Sequence, residues 1–149
     1  MKKIYLSGVV GRGKYTIVDD EDFEVLSKYS WHLTRAGYAR NGSGIGMHKI
    51  ILNPAKGLVS DHINGDRLDN RRANLRICTP KQNRQNKGMY KNNKSGYRGV
   101  CWDKYANLWR VDFSLNGKHI TVGYFKNPED GHKAYKKRSI KEYGEFRRL

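Results

Sequence analysis

Cysteine is nearly absent: Cys78 and Cys101 are the two in 149 residues, and they form no C-x-x-C pair. That excludes a disulfide framework and a thiolate zinc knot, and makes a reducing cytoplasm the expected setting. Carboxylates are scarce as well, 14 Asp and Glu against 30 Lys and Arg, for a formal charge of +16. So small and basic a chain is matched to a polyanion. Long apolar runs are missing, and neither a signal peptide nor a basic amphipathic anchor is visible, so no membrane partner is expected. Proline occurs three times, and two of the three, Pro80 and Pro128, stand where a helix begins.

What is present is concentrated between Ser60 and Asn83, SDHINGDRLDNRRANLRICTPKQN. Leu58 and Val59 lead into a short strand that ends on Asp61 and His62. The following loop is dense in Asn, Asp, Gly and Arg, residues that stabilise turns through side-chain to backbone bonds, and it is read as solvated rather than core. LRICT alternates as a half-buried strand, and Thr79-Pro80 opens a helix with Asn83 about one turn inside it. Strand, return strand and helix can therefore gather Asp61, His62 and Asn83 into one polar pocket.

Those residue types suit hydrolysis of a phosphodiester. A hard divalent cation takes oxygen ligands, keeps several waters and needs only one or two protein carboxylates besides substrate phosphates. Asp61 and the Asn83 amide oxygen supply such donors. A neutral imidazole titrates near working pH and can take a proton from water, which is the role available to His62.

The segment resembles the HNH motif of phage and intron-encoded homing endonucleases, the ββα-metal fold, in the branch with the pattern D-H-x-N/D-G...N-L...T-P-x-x-N. The resemblance implies His62 as general base, Asp61 and Asn83 as ligands of one Mg²⁺ or Mn²⁺, and Asn74 as the residue that orients the base. With Asn at the last position and no His, Zn²⁺ is disfavoured. Arg71 or Arg72 is expected to hold the phosphate. The motif is expected over residues 58–88 and the nuclease domain over 1–83.

Ahead of the motif, residues 1–57 read as small β-rich structure with a helical insert behind Asp19, Asp20, Glu21 and Asp22, with Asp20 as its cap. Trp31 to Arg40, the Asn41-Gly42-Ser43-Gly44 turn and Ile45 to Ile51 read as a hairpin. Trp31, Gly37-Tyr38-Ala39 and Met47-His48 resemble the segment that often precedes HNH motifs in phage proteins. His48, flanked by Met47 and Ile50, is assigned to packing rather than catalysis. His32 has less claim still.

Residues 84–96 form a basic linker, with Arg84, Lys87, Lys91 and Lys94 placed to follow a DNA backbone or simply to tether. Residues 97–149 read as three strands, the last two joined at Asn116-Gly117, and then a helix from Pro128 to Gly144. This part resembles an AP2 domain, a three-stranded antiparallel sheet packed on one helix, through Tyr97-Arg98-Gly99-Val100, the Trp109 strand, Gly123-Tyr124-Phe125 and Ala134-Tyr135. Cys101, Ser114 and Thr121 stand where plant members carry Arg, Arg and Trp, so no target sequence transfers. Arg98, Trp102, Lys104 and Arg110 are the candidates for DNA contact, and Trp109, in phase with Val111 and Phe113, belongs to the core.

The expectation is thus an α+β chain with a β-rich start leading into the nuclease motif, a linker and a DNA-binding unit. Its partner is double-stranded DNA, with no organic cofactor, acting as a monomer or weak dimer. An alternative is a DNA-binding regulator whose nuclease-like half is only scaffold.

Overall fold

A computed structural model describes residues 1–86 and 93–144. It is a mixed α+β structure that separates into two compact units, Met1–Arg84 and Gln85–Leu149. No helix among the described residues is long and apolar enough to cross a membrane.

In the first unit, β1 (Lys2–Tyr5) pairs antiparallel with β2 (Tyr15–Val18). Helix α1 (Asp20–Leu26) follows, with Asp20, Glu21 and Asp22 in its first turn, where carboxylates offset the partial positive charge of exposed amides. Asp19 and not Asp20 precedes the helix. Asp20 instead meets the Met1 amino group at 2.7 Å. Trp31 is 2% exposed, and its indole N–H donates to the carbonyl of Leu26 at 2.8 Å, an acceptor at the helix end that the Tyr29 amide also reaches at 3.2 Å.

The short hairpin of β3 (Trp31–Leu33) and β4 (Ala39–Asn41) turns at Gly37, whose φ of 84° a side chain would resist. The stretch expected as a second strand, Ile45 to Ile51, is instead largely α2 (Met47–Leu52). Met47 and Ile51 are both buried, four residues apart, which is a helical spacing. The Asn41 side-chain oxygen accepts the amide of Ile45 at 2.9 Å and the Asn41 amide donates to the Ile45 carbonyl at 3.0 Å, so the Asn-Gly-Ser-Gly turn forms as expected, but it closes on one antiparallel bridge, Arg40 to Gly46, before the chain enters α2.

Strands β5 (Val59–His62) and β6 (Leu75–Cys78) pair antiparallel, and α3 (Pro80–Gln85) follows at once. Thr79 and Gln82 cap that helix reciprocally: the Gln82 amide donates to the Thr79 hydroxyl at 3.2 Å, and the Thr79 amide to the Gln82 side-chain oxygen at 2.8 Å. Ile4, Leu6, Val18, Leu26, Trp31, Met47, Ile51 and Leu75 form the common core, onto which Leu68 from the β5–β6 loop also packs.

In the second unit, β7 (Val100–Asp103), β8 (Leu108–Leu115) and β9 (Lys118–Phe125) form one antiparallel sheet in that order. Asn116 and Gly117, at φ of 52° and 80°, make the tight β8–β9 turn. Helix α4 (Pro128–Tyr143) packs its Tyr135 against Val100, Val111 and Phe113. A Cβ on Gly131 would stand 2.9 Å from a Val111 methyl, so the absence of a side chain there lets the helix approach the sheet.

Candidate active site

The β5–β6 register sets Asp61 across from Arg76 and His62 across from Leu75. Asp61 and His62 are both buried, at 7% and 5% exposure. One Asp61 carboxylate oxygen accepts from two guanidinium nitrogens of Arg76, at 2.8 and 3.0 Å.

The His62 ring is held by Asn70, whose side-chain oxygen lies 3.2 Å from Nε2. Asn70 is 0% exposed. Its amide nitrogen donates to the Thr16 hydroxyl oxygen at 2.8 Å, and that hydroxyl donates to the Leu68 carbonyl at 2.7 Å. With the amide oriented by Thr16, its oxygen faces the imidazole, so Nε2 carries the proton and the accepting lone pair resides on Nδ1. Burial pushes the His62 pKa down, against the Asn70 bond and the carboxylates of Asp61, Asp66 and Asp69. The ring is thereby kept neutral, as a base must be.

The resemblance assigns orientation of the base to Asn74, and the structure gives that bond to Asn70. Asn74 accepts the Asn64 amide at 3.0 Å and donates to the Asp69 carbonyl at 2.8 Å. Asn74 thus shapes the loop while Asn70 touches the ring. The loop read as wholly solvated is also corrected: Asp69, Asn70 and Asn74 are at most 7% exposed. Their polarity is compatible with burial because each is bonded inside the loop or to Thr16.

His48, assigned to packing, does pack, but against His62: its ring centroid is 5.1 Å from that of His62, and Tyr38 lies 5.3 and 5.9 Å from the two imidazoles. Burial first, then the neighbouring His62, lowers the His48 pKa to about 4. The only sequence signal for Asn70 was Leu68 two residues before it, an apolar anchor inside an otherwise polar loop. For His48 it was the helical spacing that puts it on α2.

Arg71 forks onto Asp69 at 2.6 and 2.7 Å, and Arg72 onto Asp22 at 2.8 and 2.9 Å with Glu21 at 2.7 Å. Both guanidinium groups brace the loop, and a phosphate would have to compete for them. In the second unit Arg110 lies between Asp103 and Asp112, at 3.1 and 3.0 Å. Arg98 donates to the Gln85 carbonyl at 3.0 Å. Trp102 is 46% exposed with its edge on Trp109, while Arg84, Lys94 and Lys104 are exposed. Lys87 and Lys91 lie outside the described residues.

Among the described residues no group of three His, Cys, Asp or Glu side chains stands together as metal ligands. A hard cation does not require one. Asp61 carries carboxylate oxygens and the half-buried Asn83 an amide oxygen, donor types that suit such an ion.

Residues 53–85 match the family model described as HNH endonuclease. An uncharacterized HNH endonuclease of Acanthamoeba polyphaga mimivirus is 27% identical over 145 residues, covering 91% of this chain and 74% of that protein. Protein 3.8 of Escherichia phage T7 is 40% identical over 63 residues, 42% of this chain and 52% of that protein. No solved structure gives a significant match. Through residues 53–85 the chain carries an HNH endonuclease domain, and by virtue of that domain it is a DNA endonuclease.

Proposed function

We propose that the protein is a metal-dependent nicking endonuclease of the homing type, hydrolysing one phosphodiester of double-stranded DNA per site to a 5′ phosphate and a 3′ hydroxyl. The observation that carries this reading is the neutral His62, with its Nε2 proton committed to the buried Asn70. Nδ1 of His62 takes the proton of the attacking water. Asp61 and Asn83 hold one Mg²⁺ or Mn²⁺, which when bound supplies positive charge to the phosphorane and the departing 3′ oxygen. Asn70 keeps the imidazole in the productive tautomer, and Asn74 keeps the loop that carries Asn70 in shape.

One site cuts one strand, so a double-strand break needs a dimer or a second event. The second unit, taken as AP2-like, positions the protein on the duplex through its exposed residues and its charge. The place of action is the cytoplasm of a host cell, in a mobile-element or phage context.

Supercoiled plasmid, incubated with the protein and Mg²⁺, should convert to the nicked circle. His62→Ala should abolish conversion and leave duplex binding intact, and EDTA should stop the wild type. Equal nicking by wild type and His62→Ala would remove His62 from the mechanism. An unchanged plasmid with wild type and Mg²⁺ would favour a DNA-binding protein without cleavage, a reading that the neutralisation of Asp61 by Arg76 supports.

A further inference from the structure

Four arginines lie on the β5–β6 loop and its return strand, and three of them are spent on carboxylates: Arg71 on Asp69, Arg72 on Asp22, Arg76 on Asp61. Arg67 forms no ion pair among the described residues. Its guanidinium carbon sits 4.8 Å from the centre of the Tyr38 ring, and one of its nitrogens donates to the Ala36 carbonyl. The same Tyr38 ring is 5.9 Å from the ring of His62 and 5.3 Å from that of His48. A free cation is therefore laid over an aromatic that itself lies against the base.

We propose that Arg67, seated on Tyr38, is the residue that grips a backbone phosphate of the DNA at the His62 site. The inference rests on the reading of His62 as the point of cleavage and names the phosphate-binding group for it. Three features favour it. Arg67 is exposed, so a phosphate can reach it without dehydrating a buried charge. A guanidinium carries five N–H donors in a planar fork, and the Ala36 carbonyl takes one of its nitrogens, leaving donors for a phosphate oxygen. Stacking on Tyr38 restricts the side chain beforehand, so less rotamer entropy is lost when the phosphate arrives.

The β3–β4 turn is fitted to this arrangement. Gly37 adopts φ of 84°, and a Cβ there would lie 3.6 Å from the Arg67 Cδ. The turn thus brings Ala36 and Tyr38 to the arginine from one side, while the β5–β6 loop presents it from the other.

The test uses the full-length protein as wild type, Arg67→Gln, Arg67→Lys and His62→Ala. Affinity for a short fluorescent duplex is measured in EDTA over a range of salt, and nicking of supercoiled plasmid is measured in Mg²⁺ with protein in excess. Arg67→Gln should flatten the plot of log affinity against log salt by about 0.9, the change expected when one fewer phosphate is neutralised. Its nicking rate at saturating protein should fall at least about tenfold, because a donor to the reacting phosphate acts in the transition state. Arg67→Lys should keep the salt slope and lose part of the rate, since the charge remains and the fork does not.

A wild-type slope and wild-type rate in folded Arg67→Gln overturn the proposal. If Arg67→Gln fails to fold, Arg67→Lys decides: a reduced rate per folded molecule at an unchanged slope supports the proposal, and an unchanged rate overturns it. Failure of the cleavage reading shows separately, as a wild type that does not nick and behaves like His62→Ala. The slope then still reports whether Arg67 meets a phosphate.

Discussion

Nε2 of His62 and the side-chain oxygen of Asn70 stand 3.2 Å apart, and the direction of that bond is set from β2, where Thr16 fixes which end of the Asn70 amide faces the imidazole. The tautomer of His62 is thus decided by a residue 46 positions earlier in the chain, through two hydrogen bonds and a carboxamide.

Replacing Asn70 by Ala should lower the nicking rate roughly 10- to 100-fold, the usual consequence of losing the partner that orients an active-site histidine. It also removes the donor to Thr16 from a fully buried place, at a cost of about 1–3 kcal/mol. Urea denaturation alongside nicking rates per folded molecule separates the two effects. A rate equal to wild type would show that the base needs no help from Asn70.

Arg76 and Asp61 form a pair whose side chains are only 13% and 8% exposed. Arg76→Met leaves the carboxylate buried without that guanidinium, which should destabilise the chain by about 3–5 kcal/mol in EDTA. A divalent cation on Asp61 replaces the missing positive charge. The loss, read from urea midpoints, should therefore be smaller in Mg²⁺ than in EDTA, and an identical loss in both would count against Asp61 as a ligand.

The His48 imidazole is held down to a pKa of about 4 by burial and by His62, against 6.5 for the free side chain. An unfolded chain takes up a proton there near 6.5, while the folded chain resists until about 4. Stability is therefore fully present above that upper value and is lost as pH falls from it toward the lower one. Melting temperatures followed by circular dichroism across this window should drop in the wild type and drop less in His48→Phe.

Gly99 has φ of 73°, and a Cβ there would run into the Tyr135 ring and stand 2.7 Å from the Asp112 carbonyl. Gly99→Ala should cost the second unit about 1–3 kcal/mol from overpacking, with the left-handed backbone adding about 1–2 kcal/mol. Amides of β7, β8 and β9 should lose hydrogen-exchange protection and duplex affinity should fall. Protection in β5 and β6 should stay, since the two units are separate compact bodies.

Residues whose role depends on a neighbour in the chain were legible in the sequence. Thr79 and Gln82 cap their helix across three positions, and Asn116-Gly117 closes its hairpin within two. The Ile45 to Ile51 stretch misled because a short apolar run suits a strand or a helix alike, and the choice rests on the distant core residues that Met47 and Ile51 pack among. Asn70 escaped notice for a related reason: Asn next to Asp and Arg reads as surface until its hydrogen-bond partners are known.

From the order of residues alone came the basic charge that marks a polyanion partner, the Asp61-His62 dipeptide at a strand end, and Asn83 one turn into a helix. Which asparagine touches His62, which arginines are paired with carboxylates and which lies over Tyr38, and that a second histidine lies against the first, only the tertiary structure decided. The physical reason is reach. Periodicity, turns and caps are settled over a few residues, whereas Asn70, Arg67 and His48 take their roles from partners on other strands and helices, where burial and the hydrogen bonds available select among chemically equivalent side chains.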